Sequence, residues 1–270
     1  MGKICLVTSA EGPRLAHRKQ WLEVLRQKQV VRPDTELGIE NLAKHTHSHR
    51  AYVEGVYLEL LQSAYNVEAV LQAEKKGYDA AVIACYFDPG LEAAREVARI
   101  PVVGLAEASM AYSTLLARKK HAIAIIAVAE KGMLKTYDVI HKYGLTEQLI
   151  PIRPVRHIPF EMYSAAGNSG KASDVQAAVN EYIKVARECI KDGAEIVITG
   201  CAGLGPMLAV EGVFDIDGVP VMDPVSVAVK MAESLVDLQK LGLKVSRKLM
   251  YRKPVPDDVS DKERAHFGFS

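Results

Sequence analysis

The chain is short of the features that mark a special environment or a bound group. No apolar run reaches the roughly twenty residues that cross a membrane. The opening Met1-Gly2-Lys3-Ile4-Cys5-Leu6-Val7 runs straight into a strand pattern, without the sections of a secretory leader. Neither sign of charge is in excess: 34 Lys and Arg stand against 33 Asp and Glu, a net +1. Nothing therefore favours nucleic acid or an anionic membrane as partner. Four cysteines in 270 residues do not make a disulfide framework. The expected setting is cytoplasmic, with the thiols reduced. No Gly-rich nucleotide fingerprint follows the first strand, which argues against a nicotinamide enzyme.

What is present is an ordinary globular composition, 49% hydrophobic and 25% charged, in a strict alternation of patterns. Lys3 to Thr8 reads as a strand and Arg14 to Gln29 as a helix, with Asp34 to Glu40 a second strand. Tyr52 to Lys76 is helical and stops at Gly77. Further strands are expected around 80–85, 100–104, 122–128, 148–155, 195–201 and 218–223, with helices between them. Ile158 to Lys171 holds Pro, Gly, Asn and Ser and reads as a loop. Val225 to Leu241 is the last strong helix, and the tail from Lys253 reads as a loose polar arm or an oligomer contact. Strand and helix in turn predict an α/β protein with parallel sheets. The apolar last helix and the detached tail lead us to expect a homo-oligomer.

Two cysteines organise this pattern. Cys85 closes Ala80-Ala-Val-Ile-Ala-Cys85 and precedes Tyr86-Phe87-Asp88-Pro89. Cys201 closes Glu195-Ile-Val-Ile-Thr-Gly-Cys201 and precedes Ala202-Gly203-Leu204-Gly205-Pro206. Runs of Val and Ile such as these are buried parallel strands. Pro is favoured in a first helical turn, so both thiols should sit at a strand C-terminus facing the next helix. Asp88 is the expected N-cap of a helix over 89–98, Gly205 a permissible cap for the next, and Asp223 the cap before Pro224. The halves also echo one another: Gly77-Tyr-Asp-Ala-Ala-Val-Ile-Ala-Cys85 matches Asp192-Gly-Ala-Glu-Ile-Val-Ile-Thr-Gly-Cys201, and Ile100-Pro-Val-Val matches Val219-Pro-Val-Met. Two lobes are expected, 1–108 with 224–270 and 109–223, each ending a central strand in a thiol and facing the other across a cleft.

Taken together, Ile83-Ala-Cys-Tyr-Phe-Asp-Pro-Gly-Leu-Glu-Ala-Ala-Arg95, Ile100-Pro-Val-Val-Gly-Leu-Ala-Glu-Ala108, Gly200-Cys-Ala-Gly203 and Gly218-Val-Pro-Val-Met-Asp223 resemble the aspartate/glutamate/hydantoin racemase superfamily, closest to its hydantoin and allantoin racemase branch. The resemblance implies two pseudo-symmetric flavodoxin-like lobes, no cofactor, and catalysis by Cys85 and Cys201. Two departures bear on the substrate. Where that branch opens with Asn-Pro-Asn-Thr this chain has Val7-Thr8-Ser9-Ala10-Glu11, and where it carries threonines after the mid-chain strand this chain has Ala127-Val128-Ala129-Glu130. The implied substrate is a small molecule, a cyclic ureide or amino-acid derivative.

Two thiols suit that chemistry. Racemisation takes a weakly acidic hydrogen from one face of a carbon and returns one to the other, so it needs an acid and a base on opposite sides. Helix N-termini favour the thiolate, and backbone N–H groups of Tyr86, Phe87, Ala202 and Gly203 would hold the developing enolate oxygen. Thr8, Ser9 and Glu107 complete the expected substrate contacts, although Glu107 serves equally well as a residue of a helix start. Cys5 and Cys189 read as packing residues. His45, His47 and His49 read as a surface or entrance loop, because no carboxylate or cysteine pattern makes them a metal site. The rival readings are a lyase or isomerase of the same superfamily and a non-catalytic ligand-binding protein. Relatives that decarboxylate arylmalonates keep only the second-lobe cysteine, whereas this chain has both.

Overall fold

The structure, a computed structural model, describes residues 2–8, 12–41, 55–118, 120–246, 253 and 255–269. Parallel strands β1 (Lys3–Thr8), β2 (Glu36–Asn41), β3 (Ala80–Ile83) and β4 (Val102–Gly104) form one sheet in the order β2-β1-β3-β4. Strands β5 (Ile123–Val128), β6 (Val155–Ile158), β7 (Ile196–Thr199) and β9 (Val219–Met222) form a second, in the order β6-β5-β7-β9. The second sheet gains an edge strand, β8 (Asp215–Ile216), antiparallel to β9. The same winding thus occurs twice, and the chain is an α/β protein of two pseudo-symmetric lobes with parallel sheets. The central strands β3, β5 and β7 are near-continuous apolar runs because both of their faces are covered. Every residue of β3, β5 and β7 is buried.

Helices α1 (Gly12–Gln27), α2 (Val56–Lys75), α3 (Leu91–Val97) and α4 (Leu105–Leu116) follow the strands of the first lobe. Helices α5 (Glu130–Lys142), α6 (Phe160–Ser169), α7 (Ala172–Lys191), α8 (Leu204–Val210) and α9 (Pro224–Lys240) follow those of the second, and α10 (Asp257–His266) ends the chain. Side chains alternate across each strand. Cys5, Val7, Ala81 and Ile83 face outward under α2 and α3. Ile4, Leu6 and Val82 face inward, into a core that also holds Ile123, Ile125, Ile196 and Ile198 of the second sheet and Val225, Val229 and Val236 of α9. Helix α9 leaves the second sheet and packs on α4, β3 and β4.

Four expectations are corrected. Residues 158–171 are not a loop: they finish β6 and form α6, whose Phe160, Tyr163 and Ala166 are buried at helical spacing. The turn formers that suggested a loop gather at its ends, with Pro159 before the helix and Gly170 left-handed after it. The strand expected over 148–155 begins only at Val155. The tail is not a loose arm, since α10 docks on α2 through Arg264 and Glu68, with Phe269 edge-on to Tyr65. The apolar face of α9 packs inside the chain, rather than standing open as the association face it was read as.

Each lobe closes with a helix capped by a carboxylate, buried at Asp88 and half-buried at Asp223, and the two carboxylates come from different places. Asp223 caps α9 locally, accepting from the N–H of Val225 at 3.1 Å and Ser226 at 2.9 Å, with Pro224 in the first turn. Asp88 does not cap α3, whose N-cap is Gly90. It reaches instead to α4, accepting from the N–H of Ala106 at 3.1 Å and Glu107 at 3.0 Å. Glycine makes room in each case. A Cβ on Gly104 would lie 2.4 Å from the Asp88 carboxylate, and one on Gly205 would lie 2.4 Å from the Asp223 carboxylate. The first lobe has Asp in the loop after its cysteine and Gly at the end of its last strand; the second lobe exchanges them.

Gly205 lies within α8, where helix propensity alone would make Gly205→Ala stabilising by about 1 kcal/mol. The carboxylate in its way is held by Val225, Ser226 and the Trp21 indole and cannot swing aside. Overpacking therefore wins, and the substitution should cost about 1–3 kcal/mol in a denaturant titration. An unchanged or higher midpoint would contradict the packing described.

Candidate active site

Cys85 and Cys201 occupy matching positions. In the ladder, the N–H of Ala84 donates to Val7 of β1 and that of Gly200 to Ile126 of β5, both ordinary parallel pairings. The next residue leaves the sheet in each lobe. The Cys85 N–H turns back to the Ile83 carbonyl at 2.9 Å and the Cys201 N–H to the Thr199 carbonyl at 2.8 Å. A three-residue turn of this kind at a strand end re-aims the side chain it carries. Both thiols are half-buried and neither is in a disulfide. Cys85 packs with Phe87 and Val139, the latter from α5 of the second lobe. Cys201 packs at the margin of the outer core of the second sheet.

The N–H groups after each cysteine are arranged as donors. Among the described residues no acceptor engages the N–H of Tyr86, Phe87 or Ala202, and that of Gly203 donates to the Cys201 sulfur at 3.4 Å. Gly203 has to be glycine, because a Cβ there would lie 2.2 Å from the Tyr163 hydroxyl of α6. Tyr163 was not singled out in the sequence, where it sits in the stretch read as a loop. The Tyr86 side chain itself points into the core, where its hydroxyl meets Ser109 Oγ at 3.2 Å and burial pushes its pKa up. Thr8 is buried at the end of β1, while Ser9, Glu11, His45, His47 and His49 lie outside the described residues. The Glu107 carboxylate is engaged by the Arg95 guanidinium in a two-pronged ion pair. Glu130 begins α5, after Ala129 at φ +65°, and lines a cavity of about 340 Å³ with Tyr137, Arg153 and Glu188. Among the described residues no cluster of three or more His, Cys, Asp or Glu is placed to hold a metal ion, and no helix is long and apolar enough to cross a membrane.

The other two cysteines behave differently. Burial pushes the Cys5 thiol up to about 12 and the Cys189 thiol up to about 11, so both are protonated and inert near neutrality. Asp88 lies between Cys85 and the second lobe. Besides capping α4, its carboxylate accepts from the Tyr143 hydroxyl at 2.7 Å, just past the end of α5. Asp88 itself stands at φ +47° and its N–H returns to the Cys85 carbonyl at 3.1 Å, so this one side chain ties the Cys85 turn to both lobes. Burial pushes its pKa up to about 6, against the three donors that favour the charged form.

Comparison with known proteins places this arrangement. The profile of the Asp/Glu/hydantoin racemase family matches residues 28–232. The chain belongs to that family. It is 34% identical over 243 residues to the hydantoin racemase of Pseudomonas sp. (strain NS671), covering 83% of this chain and 90% of that one. It is likewise 34% identical over 206 residues to the hydantoin racemase of Paenarthrobacter aurescens, covering 76% and 80% of the two chains. The structure of allantoin racemase from Klebsiella pneumoniae shares the fold, with a TM-score of 0.70 at 24% identity over 95% of each chain. Within this Asp/Glu/hydantoin racemase family member, Tyr143 and Tyr163 are the neighbours of the cysteine loops that no local sequence signal marked.

Two outcomes test this description. Iodoacetamide on the native protein should modify Cys85 and Cys201 and spare Cys5 and Cys189, as read by peptide mass spectrometry; equal labelling of all four would contradict the burial pattern. Asp88 gives a pH signature. With a folded pKa of about 6 against an ordinary value of 3.8, the folded state holds the extra proton between those values. Stability then falls as pH rises from 4 to 6, by about 2–3 kcal/mol. Asp88→Asn removes that component. Denaturant titrations from pH 4 to 6.5 should show wild type losing this much relative to the variant, and a pH-independent difference would contradict it.

Proposed function

We propose that the protein is a cofactor-independent racemase of a cyclic ureide, with Cys85 and Cys201 as its paired acid and base. The observation that carries this reading is the repetition: two lobes of one strand order, each ending its third strand in the same turn with a half-buried cysteine at the bend. One thiol, as thiolate, takes the hydrogen from the stereocentre while the other, as thiol, delivers one to the opposite face. The reverse reaction exchanges the roles. The unengaged N–H groups of Tyr86, Phe87 and Ala202 support the reading, because an enolate oxygen needs donors already in place. Family membership and the hydantoin racemase relatives support the substrate class. The division into lobes of 1–108 with 224–270 and 109–223 is part of the same proposal, since it gives each lobe one cysteine.

Serine in place of either cysteine keeps the shape but is not an effective base near neutrality. Cys85→Ser and Cys201→Ser should each reduce racemisation of a 5-substituted hydantoin by at least about a hundredfold in both directions, within the span general acid–base catalysis contributes. Each variant should still exchange the substrate hydrogen with solvent deuterium from one enantiomer only, and the enantiomer should differ between the two. Near-normal turnover by Cys85→Ser would leave a one-cysteine lyase as the better reading. Full activity of both variants would make the cysteines structural.

A further inference from the structure

Among the described residues, Arg18 is a buried cation without a counter-charge. Its residue is 5% exposed, and neither Nε nor Nη1 has a hydrogen-bond partner. Other well-buried arginines of the chain are not left in this state. Arg156, 4% exposed, is engaged by Glu188, Asp192 and the Arg153 carbonyl. Arg95 is engaged by Glu92, Glu107 and the Val102 carbonyl. A guanidinium does not escape burial by losing its proton, and an uncompensated buried charge is among the costliest defects a fold can carry. A residue kept in that state calls for an anion that the described residues do not supply.

Its position says which anion. Arg18 lies on the buried face of α1 with Trp21, Leu22 and Leu25, at i, i+3, i+4 and i+7. That helix packs on α6 and α8 of the second lobe. Trp21, one turn deeper, donates its indole N–H to Asp223 at 2.8 Å. Asp223 in turn lies against Gly205, four residues past Cys201, and α6 places Tyr163 against Gly203. Arg18 is one turn nearer the start of α1, on the side where β1 ends. Residue 18 thus lies on the face of α1 turned into the protein, one helical turn from the Trp21–Asp223 contact, on a helix that packs on α8, the helix after Cys201.

We propose that Arg18 binds a carboxylate on the substrate, so that the preferred cyclic ureide carries an acidic substituent, as in hydantoin-5-acetate, rather than a neutral alkyl group. The inference rests on the racemase reading for where the reacting carbon sits, and it deepens that reading by naming the substituent. A planar fork of N–H donors suits a carboxylate in two-pronged contact. An unpaired buried guanidinium carries a cost in stability that a bound carboxylate relieves.

The test pairs turnover with melting. Wild type, Arg18→Gln and Arg18→Lys are assayed by loss of optical rotation with hydantoin-5-acetate and with 5-isobutylhydantoin. Arg18→Gln should raise KM for the carboxylate substrate about 10- to 100-fold while changing kcat less, and should shift the neutral substrate at most a few-fold; Arg18→Lys should recover part of the loss. Without ligand, Arg18→Gln should melt no lower than wild type, because it removes an unpaired charge, yet it should lose the rise in Tm that hydantoin-5-acetate gives wild type. Equal effects on both substrates would overturn the proposal. So would a sharp fall in the unliganded Tm with the ligand-induced rise intact, since that is a structural role. If wild type turns over neither hydantoin, the racemase reading fails, and the Tm shift with hydantoin-5-acetate still decides whether Arg18 holds a carboxylate.

Discussion

The structure depends on two carboxylates drawn in from solvent, Asp88 buried and Asp223 half-buried. Asp88 and Asp223 each cap the helix that closes a lobe, and each fits only because a glycine across from it has no side chain. Burial opposes the ionised form of both, so each survives by collecting donors. Asp223 draws on Val225, Ser226 and Trp21; Asp88 draws on Ala106, Glu107 and Tyr143. These contacts also join the lobes. Trp21 belongs to the first lobe and reaches the end of β9, while Tyr143 belongs to the second and reaches the loop after Cys85. The seam between the sheets is fixed at the level where the two cysteines leave their strands.

That constraint explains why the cysteine loops can be so exposed in their chemistry and so fixed in their shape. A half-buried thiol at a strand end is ordinarily a small packing residue. Here the strand ends at the same ladder step in both lobes, and the next N–H folds back two residues. Among the described residues, the N–H groups of Tyr86, Phe87 and Ala202 that follow are left without internal acceptors. Cys5 and Cys189 show the contrasting case, buried thiols whose surroundings keep them protonated. Arg18 extends the logic to the ligand: among the described residues the ion pairs of Arg95 and Arg156 are complete, while Nε and Nη1 of Arg18 have no partner.

Much of this was legible in the sequence. The Val- and Ile-rich runs ending in Cys85 and Cys201 gave the central strands, and the echo between them gave the doubled winding. Local capping rules read Asp223 correctly, because its partners are two and three residues away. They misread Asp88, whose partners are 18 and 19 residues on and come together only when the sheet forms. The stretch 158–171 was misread for a related reason. Its turn formers are local signals, while the burial of Phe160, Tyr163 and Ala166 that makes it a helix is decided by the sheet it covers. Tyr143 and Tyr163 were invisible for want of any sequence neighbour to mark them. Arg18 did have a signal: a charged residue on the apolar stripe of Trp21, Leu22 and Leu25.

The account turns on two groups acting on opposite faces of one carbon. The most direct measurement is racemisation of a single hydantoin enantiomer by the wild-type protein in deuterium oxide, stopped at low conversion, with both enantiomers recovered and analysed by mass. Two bases predict deuterium at the stereocentre of the product enantiomer and almost none in the unreacted one, because the hydrogen arrives from a thiol that had exchanged with solvent. Equal deuterium in both enantiomers would mean that one base serves both faces, and would contradict the pairing of Cys85 with Cys201.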